Sequence, residues 1–193
     1  MERSLIERIA SVPTVTVEGT WQRSVTERWA GHILEGSTFG GRWGRPDSFA
    51  VLYLGRPRES VLVEAYRHYV DNVPGMRPEL VRPRVMRECT IRIEQVLDLT
   101  TARGRISAGL DVADLRSAVD DYEACQTVAH AAHQLGRHGI LTPAATGLGE
   151  TLAVFVRQLG PAESVDLVGE PERWDGLPPD PRRLRLIEGS TGW

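Results

Sequence analysis

Apolar and polar positions alternate over several stretches of this chain with the two-residue period of a half-buried strand. Val15 and Val17 alternate with threonines, and Trp21–Thr26 forms a second such run, so two early strands are predicted. Residues 85–99 alternate around Cys89, Ile91 and Ile93 and predict a longer strand. Phe49–Leu54 (FAVLYL) is continuously apolar, as in a buried strand, and Ile140–Thr142, Thr151–Val156 and Ser164–Val168 are short strand candidates. Helical spacing replaces alternation elsewhere. Leu5, Ile6 and Ile9 share one side of residues 2–10, and Pro13 ends that run. After Pro57, well placed to open a helix, Val61, Leu62, Ala65 and Tyr69 recur at helical intervals. Asp111 with Asp114 marks a helix start before Leu115 and Val119, and Asp121–Arg137 predicts a further helix ending at Gly139.

Glycine-rich residues 30–48 and proline-rich residues 72–84 read as loops. From about residue 170 the chain is rich in Pro, Gly and Arg, which predicts a partly ordered arm over 170–193 with Arg182, Arg183 and Arg185 in a solvated basic stretch. The mixed order of strands and helices lacks regular βαβ alternation. It predicts an α+β fold, with residues 1–193 forming one domain.

Composition narrows the chemistry. Ordinary fractions of hydrophobic (41%) and charged (25%) residues over 193 positions exclude global disorder, and a net charge of −3 argues against direct nucleic-acid binding. All 23 basic side chains are arginine, which removes Schiff-base and P-loop lysine chemistry. No apolar run approaches membrane-spanning length and the N-terminus lacks the apolar stretch of a signal peptide, so a soluble, cytoplasmic protein without membrane association is expected. Cys89 and Cys125 form no CxxC, and His130 and His133 lack the carboxylate companion of a metal motif. They are expected in packing or at the surface, with no metal. GxSxG, Walker A and strand-linked GxGxxG patterns are absent.

Several residues stand out as candidate chemistry. Gly40-Gly41-Arg42-Trp43 joins a tight glycine turn to a guanidinium fork suited to phosphate, although such a turn is more commonly a surface Arg beside a buried Trp. Tyr53 is the polar interruption of an apolar run, and Glu64 falls at the margin of the apolar face of its helix, where a carboxylate suits a charge-stabilising role.

Taken in order, these motifs resemble the RES domain family. Arg23 lies in WQRSV, GGRW follows, VLYLG carries Tyr53, and ESVLVEAYRH carries Glu64, with Arg42, Tyr53 and Glu64 eleven positions apart. Asp98-Leu99-Thr100 resembles the family's DLT ending, and the likeness covers about residues 15–160. The chain departs from the family at GILTPAATG, where Ala144 stands in place of an expected serine. Either Thr142 or Thr146 supplies the hydroxyl there, or the role is absent.

The resemblance implies a fold similar to ADP-ribosyltransferase toxins, with two small sheets and flanking helices. It implies a toxin of a bacterial toxin–antitoxin pair that cleaves the nicotinamide–ribose bond of NAD, with phosphate or water as acceptor. NAD is then substrate, inorganic phosphate a co-substrate, and no resident cofactor is called for. Arg23, Arg42, Tyr53 and Glu64 are the implied catalytic set, with Gly41, Trp43, Thr142, Ala144 and Thr146 lining the substrate site. The implied partner is a helical antitoxin with a helix-turn-helix domain that covers the site; self-association is compatible with the family, and no residue pattern here argues for it. Two alternatives stay open: ADP-ribosyl transfer to a macromolecule, and an impaired module that only binds antitoxin or nucleotide.

Overall fold

Polar Glu18, Gly19 and Thr20 separate the two predicted early strands, yet they do not interrupt the backbone. In the computed structural model, which describes residues 4–117 and 121–183, Thr14–Thr26 is a single strand, β1. Gly19 takes a φ of +100°, a conformation glycine adopts without steric cost, and the strand continues through it. Ahead of β1, α1 (Leu5–Ala10) opens on a capping box in which Ser4 and Glu7 exchange hydrogen bonds. β2 (Leu52–Arg56) begins later than the FAVLYL run, because Val51 forms only an isolated bridge to Ser37. Pro57, in a cis peptide bond, caps α2 (Arg58–Tyr66), which widens into a π-helical turn over Arg67–Asp71.

β3 (Arg84–Asp98) is the long predicted strand. After it comes α3 (Ala102–Ala108), a helix with no apolar periodicity to announce it; Thr101 caps its start and Gly109, at φ +73°, ends it. Asp98 accepts hydrogen bonds from the backbone N–H and hydroxyl of Thr100 (2.9 and 2.5 Å), so the Asp-Leu-Thr ending serves the turn between β3 and α3. α4 (Val112–Arg116) has the Asp111–Asp114 capping box and lasts barely one turn, and Val119 lies outside the described residues. α5 (Glu123–Gln134), β4 (Gly139–Pro143), β5 (Glu150–Val154) and β6 (Ser164–Trp174) complete the order.

The two small sheets expected from the family likeness are instead one closed sheet. β1 pairs antiparallel with β3 from Thr14↔Leu97 to Thr26↔Arg84, β2 with β5, and β5 with β4. β4 then runs parallel to Val96–Asp98 at the end of β3, so the circuit returns to β1 and the sheet closes into a barrel. A bulge makes closure possible. Between the Val15↔Val96 and Val17↔Ile93 pairs, β3 places two residues opposite one, with Gln95 at φ +51°. Val17, Trp21, Leu52, Leu54, Cys89, Ile91, Ile93, Val96, Leu141, Leu152 and Val154 pack together from five strands and fill the barrel. A second core lies between the sheet and helices α1 and α5, around Leu97, Leu99, Ile140 and Phe155.

Of the arm expected over 170–193, the structure describes residues up to 183. β6 continues past Gly169 to Trp174 and pairs with β3 over Arg84–Arg92, with its register shifting across Gly169–Pro171. Trp174 and Leu177 are buried against α2 in a third cluster with Leu62, Ala65, Tyr66 and Met86. Arg185 lies outside the described residues.

Candidate active site

β1 and β2 pair at a single point, Gln22↔Gly55. Beyond it β1 runs on with β3 while β2 turns into α2, and a cavity of about 290 Å³ opens between them. β1 contributes Gln22, Arg23 and Ser24 to its wall, β2 contributes Tyr53, and β3 and β5 contribute Arg84 and Thr151. The α2 side and its π-helical turn bring Ser60, Glu64, His68 and Tyr69.

Three of the four residues expected to act together therefore meet here: Arg23, Tyr53 and Glu64. Arg23 makes no side-chain hydrogen bond or ion pair among the described residues, and its Nη1 is buried without a partner. Burial lowers its pKa to about 10, against weaker opposing effects of Cys89 and Tyr53, so it remains charged at neutral pH. Glu64 is exposed at the cavity wall, further out than its helical position suggested, because Leu62, Val63, Ala65 and Tyr66 take the buried face of α2. It pairs with neither Arg67 nor His68. The cavity thus presents a cation and a carboxylate, neither of them neutralised by a neighbour. A site so arranged suits a ligand that carries both a negative group and a centre of developing positive charge.

Tyr53 is held by the glycine turn. Its hydroxyl accepts a hydrogen bond from the Trp43 backbone N–H (2.9 Å), and burial raises its pKa well above the ordinary 10.0, so it stays neutral. The same turn demands glycine at position 41. A Cβ there would lie 2.8 Å from the Tyr53 hydroxyl.

The other expected site residues lie elsewhere. Arg42 is not on the cavity wall: Nη1 donates to the Asp114 carbonyl and Ser117 Oγ (2.8 and 2.9 Å), Nη2 donates to the Ser117 carbonyl (2.9 Å), and the guanidinium sits 4.4 Å from the Tyr122 ring centroid. It ties the loop after α4 to the glycine turn. Trp43 is a core side chain, 1% exposed. Thr142 is buried and donates weakly to the Thr151 carbonyl (3.4 Å), while Ala144 and Thr146 belong to the β4–β5 connection, where the Ala144 N–H donates to the Gly149 carbonyl (2.9 Å). None of the three lines the cavity.

Ser24, Ser60, Arg84 and Thr151 were not singled out by sequence reasoning. Arg84 sits at a strand end among other arginines, and nothing local marks it. His133 stacks on Phe49 (centroids 4.0 Å apart), with its pKa lowered by burial first and His130 second. Burial raises the Cys125 thiol to about 11, as befits a packed cysteine. Among the described residues no three His, Cys, Asp or Glu side chains are placed to hold a metal ion. No described helix is long and apolar enough to cross a membrane.

A second cavity, about 390 Å³, lies on the other side of Arg23. Trp29, His32, Glu35 and Phe39 line it, and Phe39 is 86% exposed. Arg23 stands in the walls of both cavities.

"Probable NAD(+) phosphorylase Rv3189" of Mycobacterium tuberculosis is 36% identical over 95% of this chain and 83% of its own length. The NAD(+) phosphorylase MbcT of Mycobacterium bovis is 31% identical over 86% of this chain and 92% of its own. A chain in the crystal structure of the M. tuberculosis MbcT–MbcA toxin–antitoxin complex superposes with a TM-score of 0.75 at 27% identity, covering 98% of this chain and 99% of that one. The RES domain model matches residues 19–183. By that match and by the 36% identity to a relative matched over 83% of its length, the chain belongs to the RES domain family.

Proposed function

We propose that this protein is the toxin of a toxin–antitoxin pair and destroys NAD by transferring its ADP-ribosyl unit to inorganic phosphate. The observation that carries this reading is the unneutralised pair, Arg23 and Glu64, across one cavity at the splayed β1–β2 edge. Cleavage breaks the C1′–N bond between the ribose and the nicotinamide of NAD. The bond's electrons leave with nicotinamide, which departs neutral, and positive charge develops on the ribose. Glu64 faces that charge and holds a ribose hydroxyl. Arg23, where the two cavities meet, grips the diphosphate that joins the two halves of the dinucleotide. Tyr53, kept neutral, packs against the nicotinamide ring. The aromatic second cavity, with Trp29 and Phe39, receives the adenosine half. The site supplies orientation and charge, and the reaction as written calls on no side-chain nucleophile.

The names of the relatives and of the structural neighbour support the same reading. The partner in this reading is a helical antitoxin with a helix-turn-helix domain that covers the cavity, and the protein acts in the cytoplasm. Arg42 acts by holding the glycine turn that seats Tyr53. An impaired, binding-only module is disfavoured because Ala144 lies off the cavity wall.

The test is NAD loss by the purified protein with and without phosphate, beside Ala144→Ser. Phosphate-dependent loss by both proteins is expected. Loss without phosphate assigns a glycohydrolase, and activity in Ala144→Ser alone assigns the impaired module. If neither protein consumes NAD, free-NAD destruction is rejected, and modification of a macromolecule is then assayed.

A further inference from the structure

Arg84 is the second cation of the first cavity and the more deeply buried one, 6% exposed at the start of β3. Its Nε donates to Ser24 Oγ and its Nη2 to the Ser24 carbonyl, both at 3.0 Å, and its guanidinium lies 4.7 Å from the Tyr69 ring centroid. Those two bonds use two of the five N–H groups of the fork. Neither partner is charged, and no carboxylate pairs with Arg84 among the described residues. A buried guanidinium anchored on one side and uncompensated on the other is a built anion site.

Resting on the function proposed above, we infer that Arg84 holds the acceptor phosphate and so sets phosphorolysis over hydrolysis. Two placements separate its role from that of Arg23. Arg23 borders both cavities, where the diphosphate of a dinucleotide must cross, whereas Arg84 borders only the cavity that contains Glu64. The acceptor has to reach the ribose carbon that Glu64 faces, so its anchor belongs at that end. A phosphate oxygen there forms the new bond to C1′ as the bond to the nicotinamide nitrogen breaks. ADP-ribose carrying a phosphate ester at that carbon and free nicotinamide are the products. With no phosphate anchored, water takes the same position and plain ADP-ribose forms.

The experiment is steady-state kinetics of NAD loss at varied phosphate for the wild type, Arg84→Gln and Ser24→Ala. It is read together with the ratio of phosphorylated to plain ADP-ribose, melting curves, and calorimetric titration of each unliganded protein with inorganic phosphate. Arg84→Gln is expected to raise the KM for phosphate at least about tenfold, leave the KM for NAD within about twofold, and shift product toward plain ADP-ribose. Ser24→Ala, which removes one anchor of the fork, moves the same parameters less and stands in should Arg84→Gln fail to fold. A raised KM for NAD with unchanged KM for phosphate assigns Arg84 to the dinucleotide and overturns the inference. Unchanged constants in both variants overturn it as well. If the wild type destroys no NAD yet binds phosphate through Arg84, the NAD reading falls and the phosphate site stands. If phosphate-dependent NAD loss survives Arg84→Gln with the wild-type KM for phosphate, the reading stands and the site falls.

Discussion

Glu64 and Gly41 are both close to the candidate chemistry, but they fail in different ways when changed. Glu64 is exposed and makes no hydrogen bond or ion pair among the described residues, so the fold does not depend on it. Glu64→Gln should move the melting temperature by no more than about 2 °C, as surface changes do. It should lower the rate of NAD loss at least about 100-fold, because a fixed charge facing a developing charge is lost. A rate within about threefold of wild type would remove Glu64 from the reaction. Gly41 carries no chemistry, and its role is space. Gly41→Ala puts a methyl group 2.8 Å from the Tyr53 hydroxyl, so either Tyr53 or the glycine turn must move. The expected cost is about 1–3 kcal/mol of stability, seen as a lower urea midpoint, with a parallel loss of activity as Tyr53 leaves its bond to the Trp43 N–H.

Between elements, Glu163 joins three pieces of backbone. Its side chain, 3% exposed, accepts the Gly160 N–H, the Glu94 N–H beside the β3 bulge (2.5 Å), and a hydrogen bond with His138 Nδ1 at the start of β4 (2.8 Å). Burial alone pushes its pKa up, but the bonds from Gly160, His138 and Glu94 outweigh that and hold it below the ordinary 4.5. The folded state therefore binds this proton less readily than the unfolded state. Its contribution is complete above pH 4.5 and is lost as the pH falls through the lowered folded value. Glu163→Gln should cost about 1–2 kcal/mol near neutral pH, and the gap from wild type should narrow in unfolding curves below that point. A gap constant with pH would show that the charge of Glu163 does not matter. Links of this kind explain what the sequence left illegible. Cys89, Ile91 and Ile93 announce β3 by their alternation, but nothing local says that Gln95 flips and sends Val96–Asp98 to pair with β4. Gly19 resembles a strand end, yet β1 runs through it at a φ of +100°. In α3, the run Ala-Arg-Gly-Arg-Ile-Ser-Ala lacks an apolar face, and only Thr101 and Gly109 mark its ends. The site divides in the same way. Arg23, Tyr53 and Glu64 were visible as an ordered set of motifs, whereas Arg84 enters the cavity only because twelve pairs of β1–β3 register carry it to the splayed end.

At the scale of the molecule, the segment Trp174–Arg182 closes on the helix that bears Glu64. Trp174 and Leu177 pack with Leu62, Ala65 and Tyr66 of α2, and the Leu177 N–H donates to the Pro78 carbonyl (2.9 Å). The Tyr66 hydroxyl donates to the Pro178 carbonyl (2.8 Å). Arg182 fastens the end, donating to Asp71 (2.7 and 3.1 Å) and to Asp180, which is 9% exposed, while lying 5.6 Å from the Tyr66 ring centroid. Burial by itself raises the Asp180 pKa, and the bonds from Arg182 more than reverse it, leaving the carboxyl below its ordinary 3.8. Arg182→Ala removes the guanidinium from the buried Asp180 carboxylate and leaves it the backbone N–H of residue 182, and the 43% exposure of the Arg182 side chain screens much of the ion-pair energy. The net cost should be on the order of 1 kcal/mol, a fall of about 2–4 °C in Tm for a chain of this size. Chymotrypsin should cut after Trp174 sooner than in the wild type, since local opening of the segment becomes easier. Added salt should shrink the difference in Tm, because the exposed half of the clamp is screened and the packed half is not. If Arg182→Ala melts and resists protease like the wild type, then Trp174, Leu177 and the Tyr66 bond hold the segment without the clamp, and α2 is positioned by packing alone.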